Sequence, residues 1–412
     1  MLYYGVLLFF ILEYVRPVKF FPILSPLHLN ALIPASIAII SLRNSKIVTN
    51  VDFLKLSNTK YILIFLALLA AGVLWADVTY YVWLKFTMVL GWFLIYFAII
   101  KNVDGEKGLA GVFLTICLCH LALFFINPSI ILNPDARVPI GQESFLGDGN
   151  DFSLSLNIVI PYCIYLRFIS KSKSMKLFFL ALTVLFVIAI VATSSRGGSI
   201  GLTAVLFYHW LKSDKKIKSL IGLAILAVIV LFYAPDHYFE RMSTIKDYES
   251  EGSAQGRIMA WKSSIRMAAD HPLTGVGAGH FSVEFGTAYR PPGVGRTDMA
   301  WLTAHSTYFL ALGELGIPGL LVVLGLITSN LVWNSRIIRS LGTENASVNH
   351  FSDKKLFICL NSSLIGFAVS GAFLSALYYP HLYILAGVMV AARLSYHRRQ
   401  ENVENGLLPA IV

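Results

Sequence analysis

Residues 177–211 read LFFLALTVLFVIAIVATSSRGGSIGLTAVLFYHWL. Two apolar runs, 177–194 and 198–211, are joined only by Ser194-Ser195-Arg196-Gly197-Gly198. Crossing about 30 Å of hydrocarbon takes about 20 apolar residues in a helix. Lipid offers no partner to a backbone N–H or C=O, so runs of this kind close their hydrogen bonds internally, as helices. The stretch therefore predicts two membrane helices with a tight, cation-bearing turn between them.

The pattern extends outward in both directions. Further apolar runs fall near 1–14, 23–42, 61–77, 80–100, 108–126, 152–168, 217–234, 304–334, 355–378 and 380–397, about 12 spans in all. The 412 residues are 56% hydrophobic and 14% charged, against about 25% charged in soluble domains. The fold class expected is an all-α polytopic membrane protein, a single integral membrane domain over 1–412. The first run has no basic n-region and no small-residue cleavage site, so it is read as a retained helix. It is cut short by Glu13, Arg16 and Pro17. The run 304–334 is too long for one untilted span, and Gly313 to Gly319, with Pro318 inside, should break it.

A net charge of +10 could suggest a nucleic-acid partner, but the distribution of the cations argues against one. Placing the N-terminus inside puts Arg43, Lys46, Lys55 and Lys60, then Lys101 and Lys107, then Arg167, Lys171, Lys173 and Lys176 in cytoplasmic connectors. Lys212, Lys215, Lys216 and Lys218 follow, then Arg336, Arg339, Lys354 and Lys355, and finally Arg393, Arg398 and Arg399. The other face carries fewer cations over more sequence, as the positive-inside rule requires. Both termini are thus expected in the cytoplasm, with 400–412 a disordered tail. The outer face then holds two notable loops, 127–150 and 235–303, the latter between spans 9 and 10. Cys117, Cys119, Cys163 and Cys359 all lie in apolar runs, without metal or redox spacing, so neither a disulfide nor a metal is expected.

The outer segments hold the residues with chemical potential. Arg196 sits at the membrane–water boundary, either snorkelling to lipid phosphates or fixed toward a lipid-linked phosphate, with the glycines allowing close approach. Between Ser253 and Pro272, Ile258, Trp261, Ile265 and Ala268 recur at helical spacing, with Arg257, Lys262 and Arg266 off the stripe. This predicts an amphipathic helix at the outer surface, N-capped by Ser253, with Arg257 near its first turn and Trp261 placed to stack on it. His305 opens the outer half of the broken helix, as a structural hydrogen-bonding residue or a proton acceptor. Glu314 and Lys85 are ionisable groups in apolar surroundings, with an ion pair to an outer arginine the structural reading for Glu314. Asp148, Asn150 and Asp151 are too few oxygens for a cation site and read first as turn and cap residues, with Asn150 or Asp151 capping the next helix.

These segments together resemble the O-antigen ligase / O-antigen polymerase superfamily of bacterial envelope glycosyltransferases. The matching pieces are Gly149-Asn150-Asp151-Phe152, Ser195-Arg196-Gly197-Gly198, Gly256-Arg257 with Trp261, His271-Pro272-Leu273 with Gly275, Gly277 and Gly279, and His305-Ser306 with Tyr308, Gly313, Glu314 and Gly316. They cover roughly 145–335. The resemblance implies a multi-span lipid-linked-sugar glycosyltransferase of the bacterial inner membrane, acting at its periplasmic face without metal or other cofactor. The donor implied is an undecaprenyl-diphosphate-linked glycan, and the acceptor is lipid A–core for a ligase or a second lipid-linked glycan for a polymerase. Carried over by position, Arg196 and Arg257 would hold the diphosphate and His305 would be the base or an orienting residue. Glu314, Trp261, Asn150 and Arg266 are possible supporting residues.

Charge growing on the departing diphosphate suits two fixed guanidiniums. A histidine on the other side of the sugar would give inversion by direct displacement. A flippase or other transporter is the rival class. Such proteins usually carry charges near the midplane and paired repeats with matching breaks, whereas here intramembrane charges are few, the polar residues gather at one face and no internal repeat is seen. A non-catalytic assembly partner would not need Arg196, Arg257 and His305 together.

Overall fold

In a computed structural model of the chain, the described residues are 1–44, 46–129, 145–234, 238–239, 252–290, 301–341 and 348–404. Helix is the only regular structure among them. The helices are α1 (Leu2–Tyr14), α2 (Leu29–Ser41), α3 (Asn50–Lys55), α4 (Ser57–Ala71), α5 (Thr79–Asn102), α6 (Gly105–Ile126), α7 (Gly149–Ile169) and α8 (Lys173–Ala192). They continue with α9 (Arg196–Leu211), α10 (Lys216–Tyr233), α11 (Gly252–Asp270), α12 (Phe281–Thr287), α13 (Thr307–Ser340), α14 (Val348–Gly371) and α15 (Pro380–Glu404).

Each apolar run of the sequence holds one of these helices. Among the described residues, eight helical segments are long and apolar enough to cross a bilayer: Pro22–Ser41, Ser57–Leu74, Thr79–Asn102, Gly105–Ile126, Gly149–Ile169, Lys173–Ala192, Lys216–Tyr233 and Thr307–Ser340. The expectation of about 12 spans counted four further runs, those of α1, α9, α14 and α15, which are helical but outside that set. The run 355–378 is not helical throughout. Helix α14 ends at Gly371, and residues 372–379 form a tight loop before α15. At the other end α15 continues to Glu404, past the point where a tail was expected to begin, and 405–412 lie outside the described residues.

Helix α7 is the centre of the bundle, packed by α8, α14, α6 and α9. Its polar residues Ser153, Ser155 and Asn157 are fully buried. Asn157 Nδ2 donates to the Gly198 carbonyl (2.9 Å) and to Ser370 Oγ (3.0 Å), and Ser155 Oγ lies 2.7 Å from His120 Nε2. In lipid, where apolar surface gives helices no reason to associate, such contacts and close packing hold the bundle together. The Phe113 and Tyr162 rings stack 4.2 Å apart between α6 and α7.

The helix ends sort into two sets. At one end Asp214 meets Lys355 at 2.6 Å, Asp104 meets Arg398, and Asp353 meets Arg399, so the basic connectors cluster there. Tyr3 OH donates to the Gly108 carbonyl at 3.0 Å, which brings the N-terminal helix to the same end. At the other end the starts of α7, α9, α13 and α15 lie together with the loop 372–379.

Candidate active site

Asp148 caps α7, its Oδ1 accepting from the Asn150 and Asp151 N–H groups at 2.8 and 3.0 Å. The cap is thus Asp148, neither Asn150 nor Asp151, because only a residue outside the first turn can turn its side chain back onto the free N–H groups. Asn150 instead accepts from Ser195 Oγ at 2.8 Å, which ties the start of α7 to the start of α9. Ser195 is itself the N-cap of α9, accepting from Gly198 N–H at 3.1 Å. Arg196 is therefore the first residue of a capped helix, half-buried at its mouth.

The glycines beside Arg196 have a different use from the one expected. A Cβ at Gly197 would lie 2.9 Å from Phe373 Cβ, and one at Gly198 would lie 2.6 Å from Ser153 Cβ. They admit α7 and the loop 372–379, so protein rather than substrate occupies their faces.

Helix α11 begins at Gly252, so Ser253 lies one residue inside it and Arg257 stands beyond the first turn. Its buried face is Ala260, Ser263, Ser264, Met267 and Ala268, whereas Ile265 is 53% exposed. Of the expected stripe, Ala268 is buried, Ile258 and Trp261 are half-buried and Ile265 is exposed, and α11 packs on α13 through Ser264 and the Trp261 ring. Ser264 Oγ donates to the Phe309 carbonyl at 2.5 Å. The Trp261 ring stacks on Phe309 at 5.1 Å, and its Nε1 donates to the Ala304 carbonyl at 3.0 Å. Arg266 is exposed and lies over the Tyr289 ring at 5.8 Å.

His305 precedes Ser306, the N-cap of α13, and holds a left-handed backbone (φ 47°). A non-glycine residue there is strained by about 1–2 kcal/mol. Three contacts fix this corner against the loop 372–379. Thr307 Oγ1 donates to the Leu374 carbonyl at 2.9 Å and accepts from Ala376 N–H at 3.2 Å, and Thr303 Oγ1 lies 3.0 Å from Ser375 Oγ.

The expected break in α13 occurs at Gly316 (φ 66°, ψ −164°). The segment His271–Gly277 docks onto it. Val276 and Gly277 N–H donate to the Gly313 and Glu314 carbonyls, each at 3.0 Å, and Ile317 N–H donates to the Pro272 carbonyl at 2.9 Å. Glu314 is buried and accepts from Gly279 N–H (2.8 Å), Phe281 N–H (3.1 Å) and Tyr378 OH (2.5 Å). Backbone donors and a phenol, not an arginine, satisfy it. Lys85 Nζ lies 5.1 Å from the Tyr378 ring.

These elements enclose a cavity of about 440 Å³. It is lined by Asp148, Asn150, Asp151, Arg196, Gly256, Arg257, Thr303, His305, Phe373, Ser375 and Tyr379, among others. Arg196, Arg257, His305 and Asn150, far apart in sequence, share it. Trp261, Arg266 and Glu314 do not line it; Trp261 and Glu314 brace the segments behind it. Burial and the Arg257 guanidinium hold His305 below the ordinary histidine range, with Asp148 pulling weakly the other way. The imidazole is therefore neutral near pH 7. Two guanidiniums beside a neutral imidazole can grip an anion and accept a proton next to it.

Sequence reading missed Tyr379 and Ser375, and gave Asp151 only a turn or cap duty. Tyr379 OH donates to Asp151 Oδ1 at 3.0 Å across the cavity wall. The isolated Tyr-Tyr-Pro at the end of an apolar run was the available signal for a turn there.

Residues 181–324 match the family model described as O-antigen ligase. That match spans Arg196, Arg257, Trp261, Arg266, His305 and Glu314, and supports the O-antigen ligase / O-antigen polymerase superfamily. A search of curated proteins found no match.

Proposed function

We propose a specific reaction for this chain, supported by the match of residues 181–324 to the O-antigen ligase family model, a family that in general implies glycosyl transfer by a ligase or polymerase. It transfers a glycan from an undecaprenyl-diphosphate carrier to an acceptor hydroxyl on lipid A–core. The transfer takes place at the periplasmic face of the inner membrane, with both termini in the cytoplasm. The observation that carries this reading is the convergence of Arg196, Arg257 and His305 on one cavity.

In the proposed step the acceptor oxygen bonds to the anomeric carbon as the bond from that carbon to the diphosphate oxygen breaks. The hydroxyl proton passes to His305, and undecaprenyl diphosphate departs with its new charge facing Arg196 and Arg257. Guanidiniums match phosphate oxygens in pairs and stay charged, so they stabilise charge that develops in the transition state. A neutral imidazole is the proton acceptor best matched to neutral pH. Attack from the side opposite the leaving group inverts the anomeric configuration.

The deciding experiment incubates purified protein with a synthetic undecaprenyl-diphosphate glycan and lipid A–core acceptor. Inverted, core-linked product is expected, lost in Arg196→Ala and Arg257→Ala. His305→Ala is expected to bind donor without transfer, and near-normal turnover in that variant would remove His305 from the mechanism. Extension of lipid-linked glycan in the absence of core would make the protein a polymerase. Movement of donor between leaflets without product would replace the enzyme by a transporter.

A further inference from the structure

A second cavity, of about 670 Å³, opens between α10 and a wall built by α7, α8, α9 and α14. It lies toward the basic end of the bundle, away from the cavity of His305. Ile164, Phe168, Leu180, Leu206, Leu223 and Leu226 make its sides apolar. Arg167, Lys212 and Lys355 stand on its lining, which contains no acidic residue. His209 also lines it, with a buried Nε2 that makes no hydrogen bond among the described residues.

Helix α10 has no buried residue, and its main contacts are with α8 and α9. Ile225, on the side that lines the cavity, is 57% exposed. Packed protein interiors leave few voids larger than a water molecule, and an apolar void does not hold water. In a bilayer, the material that fills a gap between apolar helix walls is acyl chain. Cations at the mouth of such a gap select the headgroup, since each Lys or Arg near an anionic lipid surface contributes about fivefold in affinity. Asp214 offsets part of that charge through Lys355 (2.6 Å) and Lys354 (3.8 Å), which leaves Arg167 and Lys212 as the main selectors.

We infer that this cleft is a binding site for an anionic phospholipid, its phosphate between Arg167 and Lys212 and one acyl chain lying against α10. The site is independent of the transfer reaction proposed above.

The test is native mass spectrometry of the full-length protein released from nanodiscs of mixed phosphatidylethanolamine and phosphatidylglycerol. Phosphatidylglycerol should be retained preferentially, and the double variant Arg167→Gln, Lys212→Gln should lower its retention by about fivefold or more. Gly222 supplies a second handle, because a Cβ there meets nothing within 4 Å and the residue lines the cleft. Gly222→Phe should fill the cleft and expel the lipid whatever its headgroup, at wild-type elution and thermal unfolding. Should Gly222→Phe misfold, the double variant decides alone. Equal retention of the two lipids, or wild-type phosphatidylglycerol retention in the double variant, would overturn the assignment.

Discussion

The Trp261 indole N–H donates to the Ala304 carbonyl at 3.0 Å, so a rigid ring braces the chain one residue before His305. His305 needs that brace, since its left-handed backbone is one that L-residues adopt only when surroundings impose it. Trp261→Phe keeps an aromatic ring against Phe309 but loses the hydrogen bond and part of the indole's contact area. Turnover is expected to fall about tenfold, the value of one such bond, with the donor KM unchanged. Trp261→Ala loses the stack as well and should also lower the unfolding temperature. Wild-type turnover in Trp261→Phe would show that His305 is held by other means.

The electrostatics of His305 give a pH signature. A base works only when unprotonated, so transfer should be flat above neutrality and decline as acid protonates the imidazole. Burial and Arg257 lower the His305 pKa, which places the midpoint of that decline below the usual histidine value of about 6.5. Asp148 raises it, so Asp148→Asn, which retains a side chain able to cap α7, should move the midpoint further toward acid. The residual activity of Arg257→Gln should move the opposite way. Rate–pH profiles at saturating donor test this, and an acid limb that ignores both substitutions belongs to some other group.

Glu314 receives three donors and lies outside the cavity, and on that ground we propose it as a support rather than a reactant. In Glu314→Gln one carboxylate oxygen becomes an NH₂ group facing a donor, and a buried N–H or O–H is left without its acceptor. The cost expected is about 1–3 kcal/mol. A lower unfolding temperature in detergent should accompany any loss of turnover, unlike His305→Ala, which should unfold like wild type. Full stability in Glu314→Gln with no turnover would move Glu314 into the chemistry.

How much of this was legible depended on the type of signal. Apolar runs of membrane length read correctly as helices because lipid leaves the backbone no alternative. The break in α13 was legible from Gly313 to Gly319, although it falls at Gly316, and Pro318 sits harmlessly in the first turn of the helical stretch beyond it. The residues lining the cavity were readable in part, because Arg196, Arg257 and His305 interrupt polar or boundary segments. The loop 372–379 was not, since Phe373, Leu374 and Ser375 continue an apolar pattern and only three-dimensional packing turns them into a wall. The buried face of α11 was read only in part, at Ala268, for a related reason. Close helix contact selects small residues such as Ser263, Ser264 and Ala260, which a search for large apolar side chains passes over.

The glycines of 275–279 give the sharpest contrast available at single positions. Gly275 has φ +62°, and a Cβ there would collide with the backbone at Glu314 and Leu315, the place where the docked segment meets the broken helix. Gly275→Ala therefore incurs about 1–2 kcal/mol for the left-handed backbone alone. It must also push His271–Gly277 off the α13 break, releasing the Gly277 N–H bond to the Glu314 carbonyl. Gly91, inside α5, has nothing within 4 Å of its would-be Cβ and a helical backbone. Gly91→Ala should be neutral or stabilising by up to about 1 kcal/mol. The same one-carbon change is thus expected to act in opposite directions at the two sites. Thermal unfolding of both variants in one detergent checks it, and a Gly275→Ala protein as stable as wild type would mean that the segment does not dock on Gly313 and Glu314 as described.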